Sequence, residues 1–270
     1  MPLSFPPGAV AAKAPADIRL QIVSPCASPP EGDGWLHKIK HDGHRLVAII
    51  PSRGALKLLS RNGHDRTPLF RTPFRKLASS GRPIVLDGEI AVPDERGVTH
   101  IDLLQAASGS YGADRLTYFA FDLLYLDGHD LRRCPIEDRK LLLRDVIGTA
   151  GCEPVVYVDH VLGIGQELFE VVRQIGAEGI VSKRRGSLYG TTRYSEIDMR
   201  GDLSRSSAMS RLSRLTPVLA FSNEQPWIDH PRRASRQARP PGDQMSSLRA
   251  ARSRQRSPPD REARGRYRVA

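Results

Sequence analysis

Residues 35–45 read Trp35-Leu36-His37-Lys38-Ile39-Lys40-His41-Asp42-Gly43-His44-Arg45. Trp35 to Lys40 has the texture of a short strand, with Leu36 alternating against a lysine side. On a strand, Lys38 and Lys40 point to the same face. Asp42-Gly43 then turns the chain. A lysine at a strand end, a glycine turn and Arg45 a few residues on are suited to a phosphate. The amine can serve as nucleophile or point charge, and the guanidinium as a planar fork. The plain alternative is a surface hairpin.

Working outward, Leu46 to Ile50 and Leu56 to Leu59 read as strands, and residues 68–79 as a helix. Pro83 to Val92 is a strongly apolar strand closed by the turn pair Pro93-Asp94. Asp102 to Ala107 reads as a short helix, Tyr118 to Leu126 as a buried strand and Ile136 to Ile147 as an amphipathic helix. Val155 to Val158 is a strand, Gln166 to Ile175 a helix, and Gly179 to Lys183 a strand. Short strands mixed with helices at irregular spacing predict an α+β fold and not a regularly alternating barrel.

Three further stretches carry chemistry. Leu86-Asp87-Gly88-Glu89-Ile90 places two carboxylates inside an apolar run. Burying them unpaired is costly, so a metal or a basic partner is expected, unless the acids simply face water on a hairpin. In Phe119-Ala120-Phe121-Asp122-Leu123, residues Phe119, Phe121 and Leu123 fall on one strand face by period two. An aromatic there suits base stacking or the core. In Glu178-Gly179-Ile180-Val181-Ser182-Lys183, an acid and a base bracket an apolar strand, for metal and phosphate or for a salt bridge.

Taken in order, K-x-D-G-x-R, D-G-E, F-D-x-L-Y-x-x-G and E-G-I-V-x-K resemble the covalent nucleotidyltransferases, most closely the ATP-dependent DNA ligases of bacterial end-joining type. Ser60-Arg61-Asn62-Gly63 and the approach Pro29 to His37 fit the same resemblance, which spans residues 18–190. It implies a two-lobed α+β adenylation domain with mixed and antiparallel sheets and the nucleotide between the lobes. By position, Lys40 is the nucleophile that attacks the α-phosphate of ATP. Glu89 and Glu178 match acids that bind Mg²⁺ or ribose. Arg45 and Arg61 match arginines that contact phosphate, ribose or the DNA end. Phe121 matches the aromatic that stacks on adenine, and Lys183 a lysine aimed at phosphate. The implied cofactors are ATP and Mg²⁺. The implied partner is nicked or broken double-stranded DNA, met by a monomer; an end-joining protein partner is not specified. An RNA ligase or a capping guanylyltransferase is the sister alternative, which the texture of Trp35 to Arg45 disfavours.

Four departures stand out. Lys38 occupies a position where the family usually has Glu, close to the adenine amino group. Lysine and that amino group are both donors, so direct recognition by this side chain fails. His44 stands where a tyrosine is usual. No lysine follows Lys183, so the family's closing K-x-K motif is absent, and no pattern for its oligonucleotide-binding β-barrel follows either. The expected function is an ATP-dependent DNA ligase by lineage, forming a lysyl-AMP intermediate and sealing DNA breaks in repair or recombination; the alternative, given the missing last motif and barrel, is a catalytically dead remnant that binds nucleotide or DNA without chemistry.

Charge divides the chain in the same place. Residues 1–190 hold 24 Lys and Arg against 22 Asp and Glu, while residues 191–270 hold 17 against 8, all 17 being Arg. Residues 191–270 are dense in Arg, Ser and Pro and lack apolar periodicity, so they are read as a disordered tail or a basic arm for nucleic acid. The abrupt change of texture resembles out-of-frame translation. Residues 1–17, rich in Pro and Ala, are read as a flexible lead-in. No apolar run approaches the roughly 20 residues of a membrane helix. Cys26, Cys134 and Cys152 are too scattered for a disulfide framework or a paired zinc site. No secretory signal is legible, and a reducing cytoplasm is the expected compartment.

Overall fold

The computed structural model describes residues 4–16, 18–107, 112–150, 154–190 and 194–198. In chain order the strands are β1 (Val10–Ala11), β2 (Val23–Pro25), β3 (Trp35–Lys40), β4 (His44–Ile50), β5 (Lys57–Ser60), β6 (Ile84–Ala91), β7 (Thr117–Leu126), β8 (His129–Asp130), β9 (Val155–Tyr157), β10 (Val161–Leu162), β11 (Gly179–Arg184) and β12 (Tyr194–Asp198). The helices are α1 (Thr67–Phe70), α2 (Arg75–Ser79), α3 (Ile101–Ala106), α4 (Ile136–Ala150) and α5 (Gly165–Ile175).

β3 and β4 flank a tight turn, yet they do not pair with each other. β4 lies in a seven-stranded sheet of order β1-β8-β7-β6-β4-β5, with β9 added on β7. β3 lies in a five-stranded sheet of order β10-β3-β11-β12-β2. The expected hairpin is therefore a crossing between two sheets, and Lys40 sits at the crossing. Most pairs are antiparallel; β7 with β9 and β12 with β2 are parallel. This is the mixed α+β, two-sheet architecture that the motifs imply.

Gly43 makes the crossing possible. A Cβ at this position would fall 2.2 Å from the Ile90 carbonyl oxygen on β6, so only a glycine lets the chain pass. Asp42 secures the same turn. Its backbone N–H donates to Thr99 Oγ1 at 2.9 Å, and its carboxylate accepts from the Ile101 N–H at 3.0 Å, at the start of α3. His41 stacks on Phe119 with ring centroids 4.0 Å apart.

The main core lies on one face of the larger sheet, where Leu46, Leu58, Leu86, Tyr118 and Leu143 are fully buried. α4 packs on β7 and β9 there, and α5 packs on β3 and β11 of the smaller sheet. Gly88 is a second position where close approach decides the residue. Tyr118 lies against it, with Cζ 2.5 Å from where a Cβ would stand, and the Tyr118 hydroxyl donates to the Leu46 carbonyl at 2.8 Å.

Several local expectations change. The single helix read over 68–79 is α1, a 3-10 turn (Thr72–Phe74) and α2, because Pro73 lacks an N–H and clashes with the preceding turn. Phe119 and Phe121 share a cluster with Ala91 and Val158, but Leu123 joins the main core on the other face. Between β6 and β7 the register passes from Gly88–Ala120 to Asp87–Asp122, which leaves Phe121 as an extra residue at a bulge and reverses the alternation after it.

Residues 4–16 of the stretch read as a flexible lead-in pack onto the larger sheet. β1 pairs with β8, Phe5 stacks on His129 at 3.9 Å, and the Tyr125 hydroxyl donates to the Ala12 carbonyl at 3.0 Å. β12 falls inside the range read as a patternless tail, and joins β11 from Gly179–Asp198 to Ser182–Ser195. The sheet thus runs past residue 190. The disorder expected for residues 199–270 lies outside the described residues. Among the described residues no helix is long and apolar enough to cross a membrane.

Candidate active site

Lys40 ends β3 opposite Gly179 on β11, and Glu178 precedes that glycine. The register puts the two side chains together, and Lys40 Nζ forms an ion pair with Glu178 Oε1. The Glu178 side chain is almost wholly buried, while Lys40 keeps a fraction of its surface open. Glu89 on β6 stands opposite Arg45 on β4 and Phe119 on β7. Burial pushes its carboxyl up to about 8; Arg45 and Lys38 oppose that rise and Glu178 adds to it. Two acids from different sheets therefore share one field beside the Lys40 amine.

Their donors are carboxylate oxygens, which suit a hard cation that keeps water or phosphate oxygens in its remaining positions. Among the described residues, no group of three or more His, Cys, Asp or Glu is gathered to hold a metal. Glu89 and Glu178 are two such donors, fewer than an all-protein cage needs.

Beside these acids lie two ion networks. Asp87 is fully buried, and Arg45 meets it with both arms, Nε to Oδ1 at 3.0 Å and Nη2 to Oδ2 at 2.7 Å. The Tyr189 hydroxyl donates to the same Oδ2 at 2.7 Å, and Arg45 Nη1 donates to the Gln21 carbonyl at 2.7 Å. The D-G-E strand thus has the basic partner its burial demands. In the second network Asp122 accepts from Arg139 Nε at 2.7 Å, Arg139 Nη2 at 3.1 Å and Lys183 Nζ at 2.9 Å. Burial alone would raise the Asp122 carboxyl; Arg139 and Lys183 outweigh it and hold the group well below the usual range. Lys183 is accordingly held by a carboxylate.

Phe121 forms the aromatic face of the site, and that face is covered by cations. Lys38 Nζ lies 4.3 Å from the ring centroid, Arg45 Cζ 5.5 Å and Lys183 Nζ 5.5 Å. Lys38 is itself buried, and burial together with Lys183 and Lys140 lowers its ammonium to about 7, against the pull of Glu89.

Of the residues expected from sequence, Lys38, Lys40, Arg45, Glu89, Phe121, Glu178 and Lys183 gather along the two facing sheets. Arg61 does not join them. It is exposed in the turn after β5 and makes no hydrogen bond or ion pair among the described residues. Sequence reasoning assigned no role to Asp122, Arg139, Lys140 or Tyr189, and for Asp87 expected only a metal or a basic partner. Asp87 and Asp122 were visible as acids in apolar runs. Arg139 and Lys140 had a fainter signal, two cations side by side on a helix whose neighbours Leu142 and Leu143 are core.

The model of the ATP-dependent DNA ligase domain matches residues 21–197. The chain belongs to that family. This ligase domain is 32% identical over 185 residues to the multifunctional non-homologous end joining protein LigD of Pseudomonas aeruginosa, covering 67% of this chain and 22% of that protein. It is 36% identical over 159 residues to the LigD of Mycobacterium tuberculosis, covering 57% of this chain and 20% of that one. The chain therefore spans about a fifth of the length of these curated relatives. The crystallised ligase domain of M. tuberculosis LigD superposes with a TM-score of 0.56 at 31% identity, over 66% of this chain and 58% of that one. Mycobacterial DNA ligase D complexed with ATP and MES gives 0.55 at 30% identity, over 67% and 59%. The ligase domain's fold, with its antiparallel sheets, is the one these structures have.

Proposed function

We propose that this ligase domain uses Lys40 to take AMP from ATP and hands it to broken DNA. The Lys40 amine attacks the α-phosphorus, the bond to the β-phosphate oxygen breaks, and pyrophosphate leaves, so a lysyl-AMP phosphoramidate forms. AMP then passes to a 5′-phosphate at a DNA break. The neighbouring 3′-hydroxyl displaces it, closing the backbone. The observation that carries the proposal is the pairing of Lys40 with Glu178 at the crossing of the two sheets, next to Glu89.

An ammonium has no lone pair, so Lys40 must lose a proton before it attacks. Glu178 holds that ammonium in an ion pair. Glu89 and Glu178 would hold Mg²⁺, which supplies positive charge to the phosphate oxygens when bound. Arg45 is fixed by Asp87 and Gln21 and can present only its remaining edge to a nucleotide. The setting is the cytoplasm, as a monomer on broken double-stranded DNA.

A second reading is favoured by two observations. Lys38 covers Phe121, and no lysine follows Lys183 to neutralise a triphosphate. A remnant that binds nucleotide without chemistry would look like this, because preorganised charge at the phosphate contributes a few kcal/mol per donor. Intact mass of the chain after incubation with ATP and Mg²⁺, beside Lys40→Ala, separates the two. The proposal expects one added AMP in the parent and none in the variant. No adduct on a folded parent rejects it in favour of the remnant.

A further inference from the structure

The ring of Tyr189 lies in an apolar cluster with Ile18, Val47, Val85 and Leu124. A phenylalanine would pack there as well, so the hydroxyl needs a reason of its own, because an unpaired buried hydroxyl is costly. That reason is Asp87, whose Oδ2 accepts from it at 2.7 Å. Burial and Asp87 push the phenol far above its usual range, so it stays protonated and donates. The backbone that carries it, between β11 and β12, is pinned at each residue. The Tyr189 N–H donates to the Arg132 carbonyl at 2.9 Å. The Leu188 carbonyl accepts from Gln21 Nε2 at 3.2 Å, and the Ser187 carbonyl from Arg139 Nη1 at 3.2 Å.

The hydroxyl is not needed for charge, since Arg45 already balances Asp87. Its effect is on orientation. The double contact between Arg45 and Asp87 fixes the two groups relative to each other. It leaves them able to rock as one plate, because the carboxylate torsion is broad. Two contacts at opposite ends stop that motion. At one end the Gln21 carbonyl accepts from Arg45 Nη1 at 2.7 Å; at the other the Tyr189 hydroxyl donates to Asp87. Gln21 also donates to Leu188, so both anchors are tied to the same short stretch of chain. Asp87 is sealed from solvent, whereas Arg45 keeps 22% of its side chain exposed. Any rocking of the plate is therefore felt at the open edge of Arg45.

We infer that Tyr189 is a positioning residue, which through Asp87 aims the open edge of Arg45 at a phosphate of the bound nucleotide. The inference rests on the reading that Arg45 meets a nucleotide here. Tyr189 itself touches no substrate; it acts through two side chains. A guanidinium held at a fixed angle meets phosphate oxygens without first reorganising, and a donor that is already aimed is worth more than one that must be turned. Asp87 and Arg45 face each other across β6 and β4, but Tyr189 reaches them from outside that sheet pairing. Its part in the site is made by the tertiary fold.

The test is calorimetric titration of ATP, and of adenosine beside it, into the full chain and into Tyr189→Phe, which removes one hydroxyl and keeps the ring in its cluster. The expected result is a loss of ATP affinity of roughly twofold to tenfold, the range a lost hydrogen bond gives. Adenosine affinity should not change, because adenosine has no phosphate for Arg45 to meet. In an Arg45→Lys background, which keeps a charge but has no fork, Tyr189→Phe should weaken ATP binding no further. Equal ATP affinity in parent and Tyr189→Phe overturns the proposal. So does an equal loss for ATP and adenosine, or an undiminished loss in the Arg45→Lys background, since the hydroxyl then serves the fold at large. Should Arg45→Lys fail to fold, the comparison of ATP with adenosine decides alone. A parent that binds no ATP overturns the proposal as well. Intact mass after ATP and Mg²⁺ is read on the same samples. A parent that binds ATP and gains no AMP rejects transfer by Lys40, while the affinities still decide the role of Tyr189.

Discussion

Lys38 Nζ lies 4.3 Å from the centroid of the Phe121 ring, on the aromatic face that a stacked base would need. Cation and base compete for one surface. A cation–π contact is worth about 0.5 to 2 kcal/mol. Lys38→Ala should therefore tighten ATP binding by roughly twofold to thirtyfold. Calorimetric titration of ATP checks this, and an unchanged or weaker affinity would show that Lys38 does not obstruct the ring.

Asp122 pairs with both Arg139 and Lys183, and all three side chains are buried. Removing it takes a carboxylate away from two buried cations. Asp122→Ala should cost about 3–5 kcal/mol of stability, the usual range when one member of a buried ionic group is lost. Urea unfolding of parent and variant gives the difference; a loss below 1 kcal/mol on the same scale would mean that water reaches the site.

Lys140 links stability to pH. Its folded value is about 7 against an ordinary 10.5, lowered by burial first and by Lys183 next. Below pH 7 both folded and unfolded chains hold the proton, and the full penalty of a buried charge is present. Between 7 and 10.5 the unfolded chain binds the proton more, so stability rises with pH. Subtracting the pH profile of Lys140→Met from the parent's should leave a difference that climbs across this window. A flat difference would show that the lysine titrates normally.

Gly88 has no room for a side chain, with the Tyr118 ring and the Phe119 carbonyl within 3 Å of the added carbon. Gly88→Ala should destabilise the chain by about 1–3 kcal/mol or more, as overpacking does. Melting temperature reports it. Gly148→Ala is the control, because nothing lies within 4 Å of its added carbon and alanine favours a helix.

The many arginines after residue 198 suggest a salt-dependent arm. Shortening the chain at 191 would remove β12 from its sheet, so truncation belongs after Asp198. DNA affinity of the parent should fall steeply as salt rises, with the slope reduced after that truncation. Equal slopes would assign the phosphate contacts to the folded part.

The apolar runs of β6 and β7 were legible because each is a buried strand of continuous hydrophobic texture. The motif residues were legible for a different reason: each has a plain structural alternative by itself, and only the four motifs in order resemble one family. β1, β2, β8 and β10, of two or three residues each, carry no periodicity and exist only through their partners. Arg61 was placed in the site by the resemblance, and the turn that carries it faces solvent.

The sequence by itself determined the longer strands and helices and the family, and through the resemblance its motifs singled out Lys40, Glu89, Phe121 and Glu178. Only the tertiary structure decided that the turn after Lys40 crosses between sheets, that a bulge sends Leu123 away from Phe121, and that Lys38, Lys140 and Lys183 meet. Strand pairing joins residues more than a hundred positions apart, as Lys40 with Gly179. Which partner wins depends on burial and hydrogen bonding across the whole chain, and no local window contains that competition.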